Sequence, residues 1–109
     1  MNLTGRPIYA KTGKPAKNKR YLDKVRALPC AACGKHGPSD AHHCRDLPDH
    51  EHRAMYDSIP GAAMKASDRD AIALCVPCHY SFHNDRFAFH DAYGKDYLLI
   101  AGTRATTGD

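Results

Sequence analysis

The chain has no tryptophan, only three phenylalanines, and no apolar run longer than the short segments AIALCV and YLLIA. With 109 residues and few large aromatic side chains, it can form one small domain whose modest core a bound metal would help to stabilise. The short runs exclude a membrane-spanning helix, and the N-terminus lacks the apolar segment of a secretory signal. We therefore expect a cytoplasmic protein with no membrane partner.

Acidic residues are scarce at the start of the chain. Asp23 is the single acidic residue among the first 26, whereas eight of the 16 lysines and arginines lie there, in a chain of net charge +4. Such a segment is typical of a protein that binds a polyanion, above all nucleic acid. A solubilising tail would explain it equally well. Because residues 1–17 are also rich in glycine and proline, we predict a flexible basic arm there.

Local patterns predict a small α+β domain over residues 18–100. The segment NKRYLDKVRAL has apolar residues at helical spacing, and the segments SDAHHCR and AIALC are typical of strands. Pro77 suits the first turn of a helix that contains CHYSFH, and HNDR breaks that helix before a second one ends at Gly94. Residues 46–69 form a long polar loop, and residues 101–109 are expected to be a frayed tail.

The five cysteines include two pairs at metal-ligand spacing. Cys30 and Cys33 form the first pair and Cys75 and Cys78 the second, with 41 residues between the pairs. In a cytoplasmic chain such pairs are metal ligands more often than disulfides or reduced buried thiols, and four thiolates satisfy a tetrahedral zinc ion. We predict a structural Zn²⁺ site. Cys44 stands outside both pairs, and we interpret it as a small core residue.

The segment CVPCHYSFH, residues 75–83, leaves open whether its cysteines and histidines bind one ion or two. If the cysteines bind a separate zinc, His79 and His83, one helical turn apart, can present two imidazoles to a second ion. His42 and His43 point to opposite faces of a regular strand, but both could approach that ion where the strand ends. A site of three histidines keeps coordination positions open, which is typical of a catalytic metal.

The combined pattern resembles the HNH nucleases of the ββα-metal fold, in their four-cysteine zinc form. Two CxxC pairs bracket the HH dyad, and CH-x3-H ends the motif. The stretches YLDKVRALPCAACG, GAAMKASDRD and LCVPCHYSFH are similar to the phage recombination-enhancement type of this family, over residues 20–95. The resemblance implies a small ββα-metal domain with flanking short helices. It also implies a DNA endonuclease that acts in recombination or DNA processing, in the host cytoplasm or nucleoid.

The resemblance also implies roles for individual residues. His42, His79 and His83 correspond to the ligands of the catalytic ion, and His43 corresponds to the general base. Asp70 occupies the position that is normally asparagine. Because an ionised aspartate accepts hydrogen bonds and cannot donate them, Asp70 could hold an amide, orient a histidine, or mark a weakened site. The alternative function is therefore a zinc-bound DNA-binding module that has lost catalysis.

The ligand types predict the metal and the mode of DNA binding. Neutral imidazoles favour Mn²⁺, Co²⁺, Ni²⁺ or Zn²⁺ over Mg²⁺, so we expect manganese or nickel to support cutting at least as well as magnesium. The sequence has no recognition-helix signature, so contacts to the phosphate backbone should dominate DNA binding. The cations that we expect at the DNA are Arg20, Lys24, Arg45, Lys65 and Arg86. For Arg45, Lys65 and Arg86 the alternative is a plain surface role.

Overall fold

A computed structural model describes residues 17–60 and 66–108 of the chain. Within these residues, two antiparallel strands pack among four short α-helices, which confirms the α+β class. Residues 1–16 of the predicted arm and the predicted DNA contact Lys65 lie outside the described residues. The elements in chain order are α1 (Lys19–Arg26), β1 (Asp40–His43), β2 (Ala71–Leu74), α2 (Val76–Asn84), α3 (Arg86–Tyr93) and α4 (Ile100–Thr107).

The two strands separate two faces of the domain. His42 lies opposite Ile72 and His43 lies opposite Ala71 in the antiparallel pairing. Because side chains alternate along a strand, Ile72 and Leu74 enter the main core, whereas Ala71 and Ala73 pack on the other side. The two adjacent histidines of β1 consequently point to opposite faces of the sheet.

Helix α1 covers the alanine face of the sheet. Asn18 caps the helix by accepting a hydrogen bond from the backbone N–H of Tyr21 at 3.0 Å. Tyr21 and Val25 are buried against Ala71 and Ala73, and the Tyr21 hydroxyl donates to the Ala71 carbonyl at 3.1 Å. The predicted amphipathic helix is therefore present, and it packs against β2.

Helices α2 and α3 are separate, as the HNDR segment predicted. Helix α2 ends at Asn84, and the side chain of Asp85 caps α3 by accepting from the backbone N–H of Ala88 at 3.1 Å. Pro77 lies in the first turn of α2, where its missing N–H costs no hydrogen bond. Gly94, with φ of 82°, ends α3 in a conformation that favours glycine.

The end of the chain corrects one prediction. Residues 101–109 were expected to fray, but Ile100–Thr107 form helix α4, with Ile100 and Thr103 buried. Arg104 anchors this helix by donating to the Asp70 carboxylate at 2.7 Å and to the Arg69 carbonyl at 2.9 Å. The prediction was wrong because this anchor depends on partners about 35 residues earlier in the chain, which local periodicity does not show.

The predicted loop of residues 46–69 contains two short 3₁₀ segments, His50–Met55 and Asp68–Asp70. The second segment runs directly into β2, so its side chains lie at the edge of the sheet. Within the described residues, no helix has the length and apolar character needed to cross a membrane.

Candidate functional site

Four cysteine sulfurs converge at one end of the sheet. Atoms from Cys30, Cys33, Cys75 and Cys78 all lie within 4.8 Å of one another, and the sulfurs of Cys33 and Cys75 are 3.6 Å apart. The first pair sits in a turn that Gly34 closes with φ of 81°, and the second pair opens α2. Four thiolates at this spacing are a candidate tetrahedral zinc site.

The thiol pKa values reflect the crowding of these sulfurs. Burial raises the pKa of Cys30, but the backbone N–H groups of Cys33 and Cys75 outweigh it and bring the pKa to about 7. For Cys78, burial and the neighbouring sulfurs both raise the pKa. Several thiolates cannot share this small volume without a compensating cation, so the donor set fits a metal ion.

Cys44 lies apart from this cluster in the hydrophobic core, as predicted. Its side chain is fully buried, and burial raises its thiol pKa well above the ordinary value, with further contributions from Asp96, Asp70 and Asp46. A neutral thiol in this position packs as a small apolar side chain.

A second convergence involves histidines from β1 and α2. Nitrogen atoms of His42, His79 and His83 lie within 4.8 Å of one another. The Nε2 atoms of His79 and His83 are 3.1 Å apart, as their positions one helical turn apart predict. The His42 and His79 ring centroids are 5.1 Å apart. The structure thus brings together the three residues that were predicted to bind the catalytic ion.

Two carboxylates hold the rings of this histidine cluster. The buried Asp96 carboxylate contacts Nε2 of His42 at 2.9 Å, and Asp40 contacts Nδ1 of His79 at 2.9 Å. These contacts leave Nδ1 of His42 and Nε2 of His79 as the nitrogens available to a metal. A carboxylate on the distal nitrogen is the usual support of a metal-bound histidine, because it fixes the tautomer and the ring orientation.

The electrostatic environment favours the metal-binding form of His83. Burial lowers its pKa, and Coulombic repulsion from the neighbouring basic groups His79, His42, Arg45 and Arg86 lowers it further. A neutral imidazole keeps the lone pair that a metal requires.

His43 lies on the opposite face of β1 but opens into the same cleft. The cleft has a volume of about 630 Å³ and is lined by all four of these histidines, together with Arg45 and Leu47. Nε2 of His43 contacts the Asp68 carboxylate at 2.9 Å. The strand therefore ends where the sequence predicted, with the two adjacent imidazoles at one opening.

The hydrogen bonds of the Asp70 carboxylate go to a loop and to Arg104, not to His43. This buried carboxylate accepts hydrogen bonds from the backbone N–H groups of Asp57 and Ser58, at 2.7 and 2.9 Å, and from Arg104. Burial raises its pKa, and these donors oppose that effect without cancelling it. Asp70 therefore braces the loop that leads to Pro60 at the cleft, and its assignment to the catalytic motif stays a prediction.

The predicted DNA contacts fall into two groups. Arg45 lines the cleft, and Arg86 lies over the Phe82 ring with its guanidinium carbon 4.6 Å from the centroid. Arg20 and Lys24 are exposed on α1, on the other side of the sheet. Of these four residues only Arg45 lines the cleft, and Arg20 and Lys24 form a separate exposed basic surface on α1.

Sequence reasoning missed the supporting carboxylates. Asp40 could have been found, since it lies two residues before His42 and so shares its face of β1. Asp96 and Asp68 gave no local signal, because they contact histidines that are 54 and 25 residues away.

Comparison with protein families matches residues 9–106 to the family described as "Protein of unknown function (DUF968)". Neither the curated proteins nor the solved structures contain a match to the chain.

Proposed function

We propose that this chain, which belongs to the DUF968 family, is a metal-dependent HNH endonuclease that hydrolyses DNA phosphodiester bonds. One observation supports this most strongly. Three imidazoles from β1 and α2 converge within 4.8 Å, and a fourth, from His43, lines the same cleft. Metal-assisted hydrolysis requires convergent ligands beside an imidazole that can act as a general base.

The proposal includes the ββα-metal fold in its four-cysteine zinc form. The order β1, β2, α2 is the order that this fold requires, and the cysteine cluster lies at the junction of β2 and α2. A phage-type role in recombination or DNA processing rests on the sequence resemblance alone.

The chemistry follows from the placement of the side chains. A divalent cation held by His42, His79 and His83 would supply positive charge beside the phosphate that is attacked. His43 would take a proton from the attacking water while the new bond to phosphorus forms and the bond to the 3′ oxygen breaks. Arg45, on the rim of the cleft, would contact a phosphate of the DNA backbone.

Plasmid nicking with Mn²⁺ tests the proposal. The wild type should nick supercoiled DNA, and His43→Ala should lose most of this activity because the proton acceptor is gone. His36→Ala is the matched control, since His36 is an exposed histidine outside the cleft lining. Zinc content and circular dichroism should be equal in all three proteins.

The same experiment separates the alternative, a zinc-bound DNA-binding module without catalysis. Absence of nicking by the wild type with Mn²⁺, Ni²⁺, Co²⁺, Zn²⁺ and Mg²⁺ would reject the nuclease. Salt-sensitive DNA binding by that inactive protein would then support the module.

A further inference from the structure

Asp68 makes a contact that the nuclease motif does not include. It lies in the 3₁₀ segment before β2 and reaches across to β1, where Oδ1 is 2.9 Å from Nε2 of His43. The Asp68 side chain is 19% exposed and that of His43 is 36% exposed, so water only partly screens the pair. The contact occupies the nitrogen of His43 that is distal to β1.

The other oxygen of Asp68 is also held. The backbone N–H of Asn18, the N-cap of α1, donates to Oδ2 at 2.7 Å. Burial raises the pKa of Asp68, but the Asn18 amide and His43 outweigh burial and lower it. Asp68 is therefore an ionised acceptor, fixed on one side by the start of α1 and on the other by the imidazole.

We infer that Asp68 is the positioning residue of the general base. An ionised carboxylate can only accept, so the contact requires a proton on Nε2 of His43. That tautomer leaves the lone pair on Nδ1, which is the nitrogen that must then take the proton from water. The inference rests on the proposed function, because it assigns a role within the same reaction.

The proton balance of the step is simple. Nδ1 of His43 gains the proton of the attacking water, the oxygen–phosphorus bond forms, and the 3′ oxygen leaves and is protonated by solvent. Nε2 keeps its proton throughout, and the Asp68 carboxylate stabilises the imidazolium without taking a proton. A carboxylate behind a catalytic histidine acts in this way in serine proteases.

Asp68 and Asp70 have distinct tasks although they are two residues apart. Asp70 points into the core and holds the loop at Asp57 and Ser58, whereas Asp68 points outward to His43. Loss of Asp70 should therefore lower stability, and loss of Asp68 should lower turnover.

The test combines kinetics with imidazole NMR on the full-length, zinc-loaded protein. With Mn²⁺ and a short DNA substrate, Asp68→Ala should lower kcat by about 100-fold or more, with KM changed by less than about threefold. Asp68→Asn keeps an acceptor oxygen and loses the charge, so its kcat should lie between that of the wild type and that of Asp68→Ala. Asp91→Ala removes an exposed carboxylate on α3 and is the control with unchanged kcat.

The NMR measurement does not depend on cutting. In ¹⁵N-labelled wild type, His43 should show the Nε2–H tautomer, and Asp68→Ala should lose that preference. An Nδ1–H tautomer in the wild type, or a kcat in Asp68→Ala within threefold of the wild type, would overturn the inference. If Asp68→Ala does not fold, the kcat of Asp68→Asn decides, and a value within threefold of the wild type would overturn the inference.

The two proposals fail differently. A wild type that never cuts DNA rejects the nuclease, and the tautomer of His43 then still shows whether Asp68 fixes the ring. A wild type that cuts, with an Asp68→Ala variant that cuts equally well, rejects the role of Asp68 alone.

Discussion

Replacement of Arg104 by alanine should destabilise the domain far more than its place near the C-terminus suggests. Arg104 is 21% exposed in its side chain, and the Asp70 carboxylate that it contacts at 2.7 Å is 0% exposed. Removing one partner of a buried ion pair commonly costs about 3–5 kcal/mol, because the remaining charge stays buried. Asp70 would still accept from two backbone N–H groups, so we expect a smaller loss than this range, about 2–3 kcal/mol.

Thermal denaturation at a fixed excess of zinc measures this loss. For a domain of this size the expected fall in Tm is roughly 10–20 °C. Arg26→Ala is the matched control: its pair with Asp23 lies on the exposed face of α1, so its removal should change Tm little. The double variant Arg104→Ala/Asp70→Asn should regain part of the lost stability, since it removes the buried charge as well.

A fall in Tm for Arg104→Ala no larger than that for Arg26→Ala would refute the reasoning. It would mean that the contact of Arg104 with the Asp70 carboxylate contributes little to the stability of the fold. It would also mean that α4 does not help to hold the loop at the cleft.

The remaining predictions concern the metal sites and the DNA. Metal analysis should find two ions per chain, with Cys33→Ser losing the tighter one and His83→Ala losing only the weaker one; a single ion lost in both variants would mean one shared site. Asp40→Asn should weaken the histidine site by roughly 10–100-fold in a Mn²⁺ titration, and an unchanged affinity would contradict the support that Asp40 gives to His79. Arg45→Ala should weaken DNA binding and reduce the slope of log K against log salt by about one, whereas an unchanged slope would remove Arg45 from the phosphate contacts.

The sequence predicted the parts of the site whose signals are local. His79 and His83 are one turn apart on α2, and the CxxC pairs have fixed spacing, so each pattern could be recognised without knowledge of the fold. The break at Asp85 was also visible, because that residue caps the next helix from its own position.

The supporting contacts could not be predicted, because folding alone brings their partners together. Asp96 reaches His42 across 54 residues and Arg104 reaches Asp70 across 34. A frayed tail was a reasonable expectation for TRATTGD, whose composition lacks an apolar stripe. One long-range ion pair and two buried side chains, Ile100 and Thr103, help to hold this part of the chain as a helix.

Helix α2 joins the two candidate metal sites through a single peptide bond. Cys78 belongs to the cysteine cluster and His79, the next residue, belongs to the histidine cluster. If the proposed ion binds the four sulfurs, it would order the first turn of α2, and His79 would lose conformational entropy before the second proposed ion binds. Because linkage is reciprocal, an ion on the histidines would in turn raise the affinity of the cysteines for their ion. On this proposal the two affinities would not be independent, and a chelator that removes the first ion would also weaken binding of the second.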